Sequence, residues 1–319
     1  MKWRWKSAVA IGRAIGAGDV DPVQLTEAYL DAAKAHSCGD RIYARRMRGR
    51  ALSEAIAAHD RAKHGVRRGV LDGVPISWKD LFDTAGVVTE AGTQLLEGRV
   101  PAEDAEVLKR ATRAGLVCLG KTHMTELAFS GLGVNPMTAT PPNGNDPDLA
   151  PGGSSSGAAA SVAFGLAAAG IGSDTGGSIR LPSAWNDLVG FKPTHGALSL
   201  RGVVPLCESF DTVGPLCRRV EDCAELFAVM RGGEAPDLAE ASLNGARFLV
   251  LDPYASDVRE VPGEAFQNAV SRLSAAGAVV ETGEVAPVKE AMETTLSLYT
   301  AEAYGTWGKA IEAAPDKMF

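Results

Sequence analysis

Apolar and polar residues follow one another along the chain in patterns that predict helices separated by short apolar strands. The first long helical pattern begins at the capping pair Asp21-Pro22 and runs to about His36. Further helices are predicted over 49–63, 104–114, 220–231, 263–276 and 288–313, and strands over 74–78, 116–119, 189–191, 248–251 and 278–281. Helices that alternate with strands in this way predict an α/β layered fold with a mostly parallel or mixed sheet.

The middle of the chain has a different pattern. Residues 140–153 are rich in Pro, Gly, Asn and Asp, which predicts a loop. Residues 156–169 are apolar nearly all round, which predicts a buried helix. A Gly-Gly-Ser turn lies at each end of this region, one ending at Ser154 and the other at Ser178. Such turns bring a hydroxyl close to exposed backbone N–H groups. The hydroxyl can act as a nucleophile and the N–H groups as an oxyanion site, and these two elements are the minimum that acyl transfer needs.

Composition excludes several classes of function. The chain has 319 residues, enough for one large domain or two, and its hydrophobic content of 45% is typical of a soluble globular protein. A net charge of −7 argues against nucleic acid or an anionic membrane as a partner. No apolar run is long enough for a membrane span, and the N-terminus does not resemble a signal peptide. Five cysteines without C-x-x-C spacing predict neither a disulfide framework nor a zinc site, and favour a reduced, cytoplasmic setting.

Two short motifs suggest other chemistries. Residues 115–122, GLVCLGKT, match the phosphate-loop pattern, but their middle residues are apolar and β-prone, so they themselves form the predicted strand. Residues 153–157, GSSSG, match the G-x-S-x-G nucleophile elbow, for which His195 is the one histidine downstream. A loop rather than a strand precedes this motif, so a Ser-His-Asp triad stays an alternative with little support from the pattern.

A longer set of motifs resembles the amidase signature family. The strongest match is GGSSSG at 152–157 followed by GSDTGGSIR at 172–180. Further matches lie in order at 72–86, 120–136, 189–196 and 211–232, so the resemblance covers about residues 20–235. The chain departs from the family pattern at Ser156, where glycine is more common, and at Trp185-Asn186-Asp187.

The resemblance implies a mixed central β-sheet covered by helices on both faces, within a single amidase domain over residues 1–319. We expect an N-terminal helical segment at 1–66, the signature core at 67–235 and a C-terminal α/β segment at 236–319. Because family members carry further helices and strands after this point, we expect the last segment to be incomplete and the fold to lack its C-terminal elements.

The resemblance also implies roles for single residues. Ser178 would be the nucleophile, Ser154 a bridging serine preceded by a cis peptide bond, and Lys79 the base. A lysine can act as a base only when it is neutral, and the apolar residues around Lys79 predict the burial that lowers its pKa. The resemblance also implies oxyanion-hole N–H groups at Thr175, Gly176, Gly177 and Ser178, and supporting residues Ser155, Asp174 and Arg180. We expect Asp174 and Arg180 to form a structural ion pair, and Ser155 either to support the relay by hydrogen bonding or to cap the 156–169 helix. Either the acyl pocket or the core would contain Met124, Thr125, Leu127 and Phe129.

The implied function is hydrolysis of a carboxamide, or of a related ester or carbamate, through a serine acyl-enzyme and a Lys-Ser-Ser proton relay. We expect a small-molecule amide as substrate, and neither a cofactor nor a metal. A homodimer is a candidate assembly. Two alternatives remain. One is a glutaminyl-type amidotransferase subunit that releases ammonia for a partner protein, and the other is an incomplete, inactive amidase-like scaffold.

Overall fold

The computed structural model describes residues 2–252, 254–255 and 257–319. They form two compact units. The first contains the chain up to Ala235 together with Ala303–Phe319, and the second contains Pro236–Glu302. The expected C-terminal segment 236–319 is therefore divided, because its last residues pack with the first unit.

The first unit contains most of the helices and strands. In chain order they are α1 (Ala8–Ala17), α2 (Pro22–Ala35), α3 (Gly39–Ile42), β1 (Tyr43–Arg46), α4 (Arg48–Lys63), β2 (Pro75–Lys79), α5 (Glu106–Arg113), β3 (Val117–Thr122), α6 (Ser156–Ala163), β4 (Ala169–Asp174), α7 (Arg180–Trp185), β5 (Val189–Gly190), β6 (Thr212–Cys217) and α8 (Val220–Arg231). Short 3₁₀ turns occur at Lys2–Trp5, Gln94–Leu96, Glu126–Ala128 and Pro315–Lys317. The predicted start of α2 is confirmed, because the Asp21 side chain accepts the N–H of Val23 at 2.8 Å.

Six strands form one sheet in the order β1-β3-β2-β4-β6-β5. The central pairs, β3 with β2 and β2 with β4, are parallel, while β1, β6 and β5 pair antiparallel with their neighbours. The mixed sheet predicted from the sequence is thus confirmed. Because β2 and β4 are parallel neighbours, their carboxyl ends lie at the same edge of the sheet, which brings Lys79 close to Asp174.

The register between β2 and β3 contains a bulge. Ile76 lies opposite Cys118, but the next residue, Ser77, lies opposite Gly120, so Leu119 has no partner on β2. Beyond the bulge, Lys79 lies opposite Thr122.

The predicted helix over 156–169 is wrong in its second half. Helix α6 ends at Ala163, and Gly165, with φ of 65°, turns the chain into β4. A continuous apolar stretch has no periodicity that separates a buried helix from a buried strand, so the pattern could not show this division. Strands β1 and β6 and helices α1, α3 and α7 were also not predicted.

The second unit is built from a parallel pair of strands and the helix that connects them. They are β7 (Arg247–Leu251), α9 (Glu260–Ala275) and β8 (Val279–Gly283), and helix α10 (Ala286–Ala313) begins here. These elements confirm the strands and helices predicted for this part of the chain, within a few residues at each end. None of the helices in the described residues is long and apolar enough to cross a membrane.

Helix α6 packs so closely on its neighbours that one position excludes a side chain. A Cβ on Gly157 would lie 2.5 Å from the His123 carbonyl oxygen and 2.7 Å from that of Ile42. We therefore expect Gly157→Ala to lower the free energy of unfolding by about 1–3 kcal/mol, because backbone atoms must move to admit the methyl group. Urea denaturation of the two proteins measures this change.

Gly49 provides a matched control in helix α4, since nothing lies within 4 Å of a Cβ added there. Gly49→Ala should leave stability unchanged or raise it by up to about 1 kcal/mol, because alanine is the better helix former. Equal stabilities of the two alanine variants would contradict the close packing of α6.

Candidate active site

Lys79 is the last residue of β2 and is completely buried. Its Nζ donates hydrogen bonds to Ser154 Oγ at 2.7 Å and to Ser173 Oγ at 2.8 Å. Among the described residues no carboxylate forms an ion pair with it. Burial lowers the pKa of Lys79 to about 7, although the charges of Asp211 and Asp174 act in the opposite direction. A neutral amine is therefore well populated near neutral pH.

The loop before α6 holds Ser154 against Lys79. The Gly153-Ser154 peptide bond is cis, as the family resemblance predicted. The N–H of Gly153 donates to the Gly131 carbonyl at 2.7 Å, and the Ser154 carbonyl accepts the N–H of Thr125 at 3.2 Å. These backbone bonds fix the Ser154 side chain in the position where the expected contact with Lys79 is found.

Ser155 joins this loop to the second serine turn. Its N–H donates to the Ser178 carbonyl oxygen at 3.3 Å. Its hydroxyl donates to the Ser173 carbonyl at 3.2 Å and accepts the Ser173 N–H at 3.3 Å. Of the two roles considered for Ser155, support by hydrogen bonding agrees with these contacts, because its side chain makes no capping bond to α6.

Asp174 organises the turn that contains Ser178. Its carboxylate accepts N–H groups of Gly177 at 2.8 Å and Ile179 at 3.1 Å. The Arg180 guanidinium donates to both oxygens, at 2.8 and 2.9 Å. Burial by itself raises the pKa of Asp174, but the hydrogen bonds from Arg180 and the backbone hold it below its ordinary value. The structural ion pair expected between Asp174 and Arg180 is present.

One of the four expected oxyanion donors is engaged elsewhere. The Gly177 N–H donates to Asp174, so it is not available to a developing oxyanion. Within the described residues, the N–H groups of Thr175, Gly176 and Ser178 have no hydrogen-bond acceptor. The turn therefore offers three backbone donors beside the Ser178 hydroxyl.

The expected hydrogen bond between the Ser154 and Ser178 hydroxyls is not formed. Among the described hydrogen bonds of Ser178, its carbonyl accepts from Ser155, but its Oγ has no partner. The Oγ of a serine rotates about the Cα–Cβ bond between three staggered positions. Because Ser178 Oγ has no hydrogen-bond partner among the described residues that fixes one of them, it is free to turn towards Ser154. Ser178 is 7% exposed, whereas Lys79 and Ser154 are completely buried, so the site opens to solvent at Ser178.

Two residues of the site were not singled out from the sequence. Ser173 accepts the second hydrogen bond of Lys79, and the buried Asp211 carboxylate accepts a hydrogen bond from the Thr175 hydroxyl. Both lie inside motifs that carried the family resemblance, GSDTGGSIR and the stretch that begins at Asp211. Their positions in those motifs were the signal in the sequence that could have identified them as site residues. A serine or an aspartate by itself indicates no role.

The four expected pocket residues differ in exposure. Met124 has no exposed surface, Thr125 and Leu127 are 5% and 4% exposed, and Phe129 is 50% exposed. Complete burial of Met124 argues for a place in the core. Thr125 is adjacent to the site, since a Cβ on Gly153 would lie 2.7 Å from its Oγ1.

The competing motifs are accounted for by other contacts. His195 is exposed and its Nε2 lies 2.9 Å from the Glu208 carbonyl oxygen, so it does not approach Ser155 or Ser154 through a hydrogen bond. Lys121 of the phosphate-loop match is buried in strand β3, where its Nζ bonds to Thr89 Oγ1 at 2.8 Å and pairs with Asp80 at 3.1 Å. No three His, Cys, Asp or Glu side chains of the described residues are grouped to hold a metal ion.

Known proteins resemble this chain over most of its length. The Amidase family model matches residues 24–317. A glutamyl-tRNA(Gln) amidotransferase subunit of Anaeromyxobacter dehalogenans is 42% identical over 233 residues, which cover 72% of this chain and 47% of the relative. The corresponding subunit from Acidothermus cellulolyticus is 38% identical over 301 residues, covering 88% and 58%. The chain thus spans about half the length of these curated relatives.

Solved structures show the same fold. One described as an amidase has a TM-score of 0.89 and 34% identity, with 98% of this chain and 71% of that chain covered. The native peptide amidase from Stenotrophomonas maltophilia has a TM-score of 0.84 and 29% identity, with 99% and 73% covered. Together with the ordered motifs and the Lys79–Ser154 contact, these matches show that the chain belongs to the amidase signature family.

Proposed function

We propose that this chain cleaves a carboxamide, or a related ester or carbamate, by transferring the acyl group to Ser178. The observation that carries the proposal is the buried amine of Lys79, which lies 2.7 Å from Ser154 Oγ. Within the described part of the chain, its hydrogen bonds go to hydroxyl groups alone. With a pKa of about 7, a large fraction of this amine is neutral at neutral pH, and the neutral form can take a proton from a serine.

In the proposed reaction the neutral Lys79 takes the proton of Ser154, which takes that of Ser178 once the Ser178 hydroxyl has turned towards it. Ser178 Oγ then attacks the carbonyl carbon, and the N–H groups of Thr175, Gly176 and Ser178 stabilise the oxyanion. The C–N bond breaks, and the leaving amine takes the proton that returns from Lys79 through Ser154. Water then attacks the acyl-enzyme by the same relay, which releases the carboxylic acid and restores Ser178.

Asp174 and Arg180 support this reaction by holding the turn that contains Ser178. Asp174 accepts the N–H groups of Gly177 and Ile179, which holds the backbone of the turn that carries the three free N–H groups. The ion pair with Arg180 keeps Asp174 ionised, so these bonds persist across the neutral pH range.

A second candidate function is that of an amidotransferase subunit that releases ammonia for a partner protein. The curated relatives with 37–42% identity are named as subunits of glutamyl-tRNA(Gln) amidotransferase, and such a name implies an assembly. The proposed relay would serve this function too, with a glutamine side-chain amide as the acyl donor.

Activity of the isolated chain distinguishes the two candidates. We expect an independent amidase to release ammonia or amine from at least one member of a panel of aryl, aliphatic and peptide amides. Size-exclusion chromatography of the same sample reports the assembly state. An amidotransferase subunit would instead show weak glutamine hydrolysis alone and no turnover of the other amides.

We expect Ser178→Ala to abolish formation of the acyl-enzyme, because the attacking oxygen is removed. Mass spectrometry after treatment with a fluorophosphonate should show one adduct on Ser178 in the unmodified chain and none in the variant. His195→Ala, as a control, should be labelled normally.

An adduct on Ser155 would support the G-x-S-x-G alternative and contradict the proposal. A chain that unfolds cooperatively on heating but takes up no label would support the inactive scaffold.

The pH dependence of acylation should report Lys79. Because its neutral form is the base and its pKa is about 7, the rate should rise between about pH 6 and 8 and then level off. Lys79→Ala should reduce the plateau by about a hundredfold or more, the usual contribution of a general base. Stopped-flow measurement of fluorophosphonate labelling gives both quantities. A rising limb that disappears in His195→Ala would show that histidine, and not Lys79, is the base.

A further inference from the structure

Asp211 is a buried carboxylate that the proposed reaction does not yet use. It directly precedes β6, and its side chain is held from two sides. Oδ1 accepts the hydroxyl of Thr175, the first residue of the proposed oxyanion turn. Oδ2 accepts the N–H groups of Leu206 at 2.9 Å and Cys207 at 3.1 Å. The carboxylate therefore ties the oxyanion turn to the loop that precedes β6.

Asp211 differs from the neighbouring Asp174 in its ionic contacts. Among the described residues, no Lys, Arg or His side chain forms an ion pair with it, whereas Arg180 binds both oxygens of the neighbouring Asp174. The charged groups around it are Lys79 at the end of β2, Asp174 at the end of β4 and Arg180 on α7, while Glu208 and His195 on the surrounding loops are exposed. Lys79 donates to Ser173 Oγ at 2.8 Å, and Thr175, two residues further along the chain, donates to Asp211. Among the described residues, Lys79 is therefore the cation placed to act on Asp211.

The proposed reaction creates a charge that needs such a partner. Each time Lys79 accepts a proton, an ammonium ion forms at a completely buried position, where an isolated charge is strongly disfavoured. Asp174 cannot fully balance it, because Arg180 already neutralises that carboxylate. Among the described residues, Asp211 is the other carboxylate whose charge acts on Lys79.

We propose that Asp211 is a positioning residue that supplies the counter-charge for the protonated form of Lys79 and holds Thr175 in place for the oxyanion. The counter-charge role rests on the proposed function. It resembles the role of the buried aspartate that stabilises the imidazolium ion in Ser-His-Asp triads. Burial raises the pKa of Asp211, while the hydrogen bond from Thr175, the two backbone N–H groups and the charge of Lys79 lower it.

The decisive variant is Asp211→Asn, which has the same shape and can still bond both to Thr175 and to the backbone N–H groups. Without the negative charge, the protonated form of Lys79 is less stable, so its titration midpoint should fall by about one pH unit. The plateau of the fluorophosphonate labelling rate should fall about tenfold, in line with a weaker base. NMR of protein labelled in the lysine ε-carbon gives the midpoint directly, with the Lys79 signal identified by its loss in Lys79→Arg.

Asp222→Asn is the matched control. Asp222 is a buried carboxylate on α8 that accepts the Val9 N–H at 2.8 Å, and it does not act on Lys79. This variant should leave both the midpoint and the plateau unchanged. A Lys79 midpoint that is the same in Asp211→Asn as in the unmodified chain would overturn the counter-charge role, even if the labelling rate fell.

The two proposals can fail separately. If Ser178 of the unmodified chain takes no label, the proposed reaction is wrong, but a displaced NMR midpoint would still support the interaction between Asp211 and Lys79. Should Asp211→Asn not fold, Thr175→Val tests the positioning role, because it removes the hydroxyl and keeps the charge. It should lower the labelling plateau with little change in midpoint, and a normal plateau would overturn that role.

Discussion

The structure depends on burying one lysine amine that has no ion-pair partner among the described residues. Lys79 is completely buried, and its hydrogen bonds go to the hydroxyls of Ser154 and Ser173. Hydroxyls satisfy the amine without stabilising its charge as a carboxylate would, so burial determines its protonation. The neighbouring features follow from this constraint. The loop before α6 places the hydroxyl of Ser154, and β4 places that of Ser173.

The sheet order explains how distant parts of the chain meet at this amine. Strands β2 and β4 are parallel neighbours, so their carboxyl ends bring together residues more than ninety positions apart along the chain. Helix α6 is anchored to the same strands, since Ser161 Oγ lies 2.7 Å from Ser77 Oγ on β2. The serine loop at the start of α6 is thus held by the sheet that also carries the lysine.

Much of this arrangement could be predicted from the sequence, but for different reasons in different places. Helices α2 and α8 follow from capping and periodicity, and α8 has the predicted bounds. The division of 156–169 into a helix and the start of a strand could not be predicted, because nearly every residue there is buried and periodicity carries no signal. The contact between Lys79 and Ser154 followed from the family resemblance. The bond from Gly177 to Asp174 did not, because backbone donors have no sequence signature.

The bulge between β2 and β3 has a consequence for the charges in the core. Side chains directly opposite each other on adjacent strands point to the same face of a sheet. With an unbroken register from Ile76 and Cys118, Lys79 would lie beside Lys121, and two buried amines would share one face. The extra residue, Leu119, moves Lys121 beside Trp78 instead. The bulge thereby separates the two lysines: Lys121 forms an ion pair with Asp80, whereas Lys79 donates its hydrogen bonds to Ser154 and Ser173.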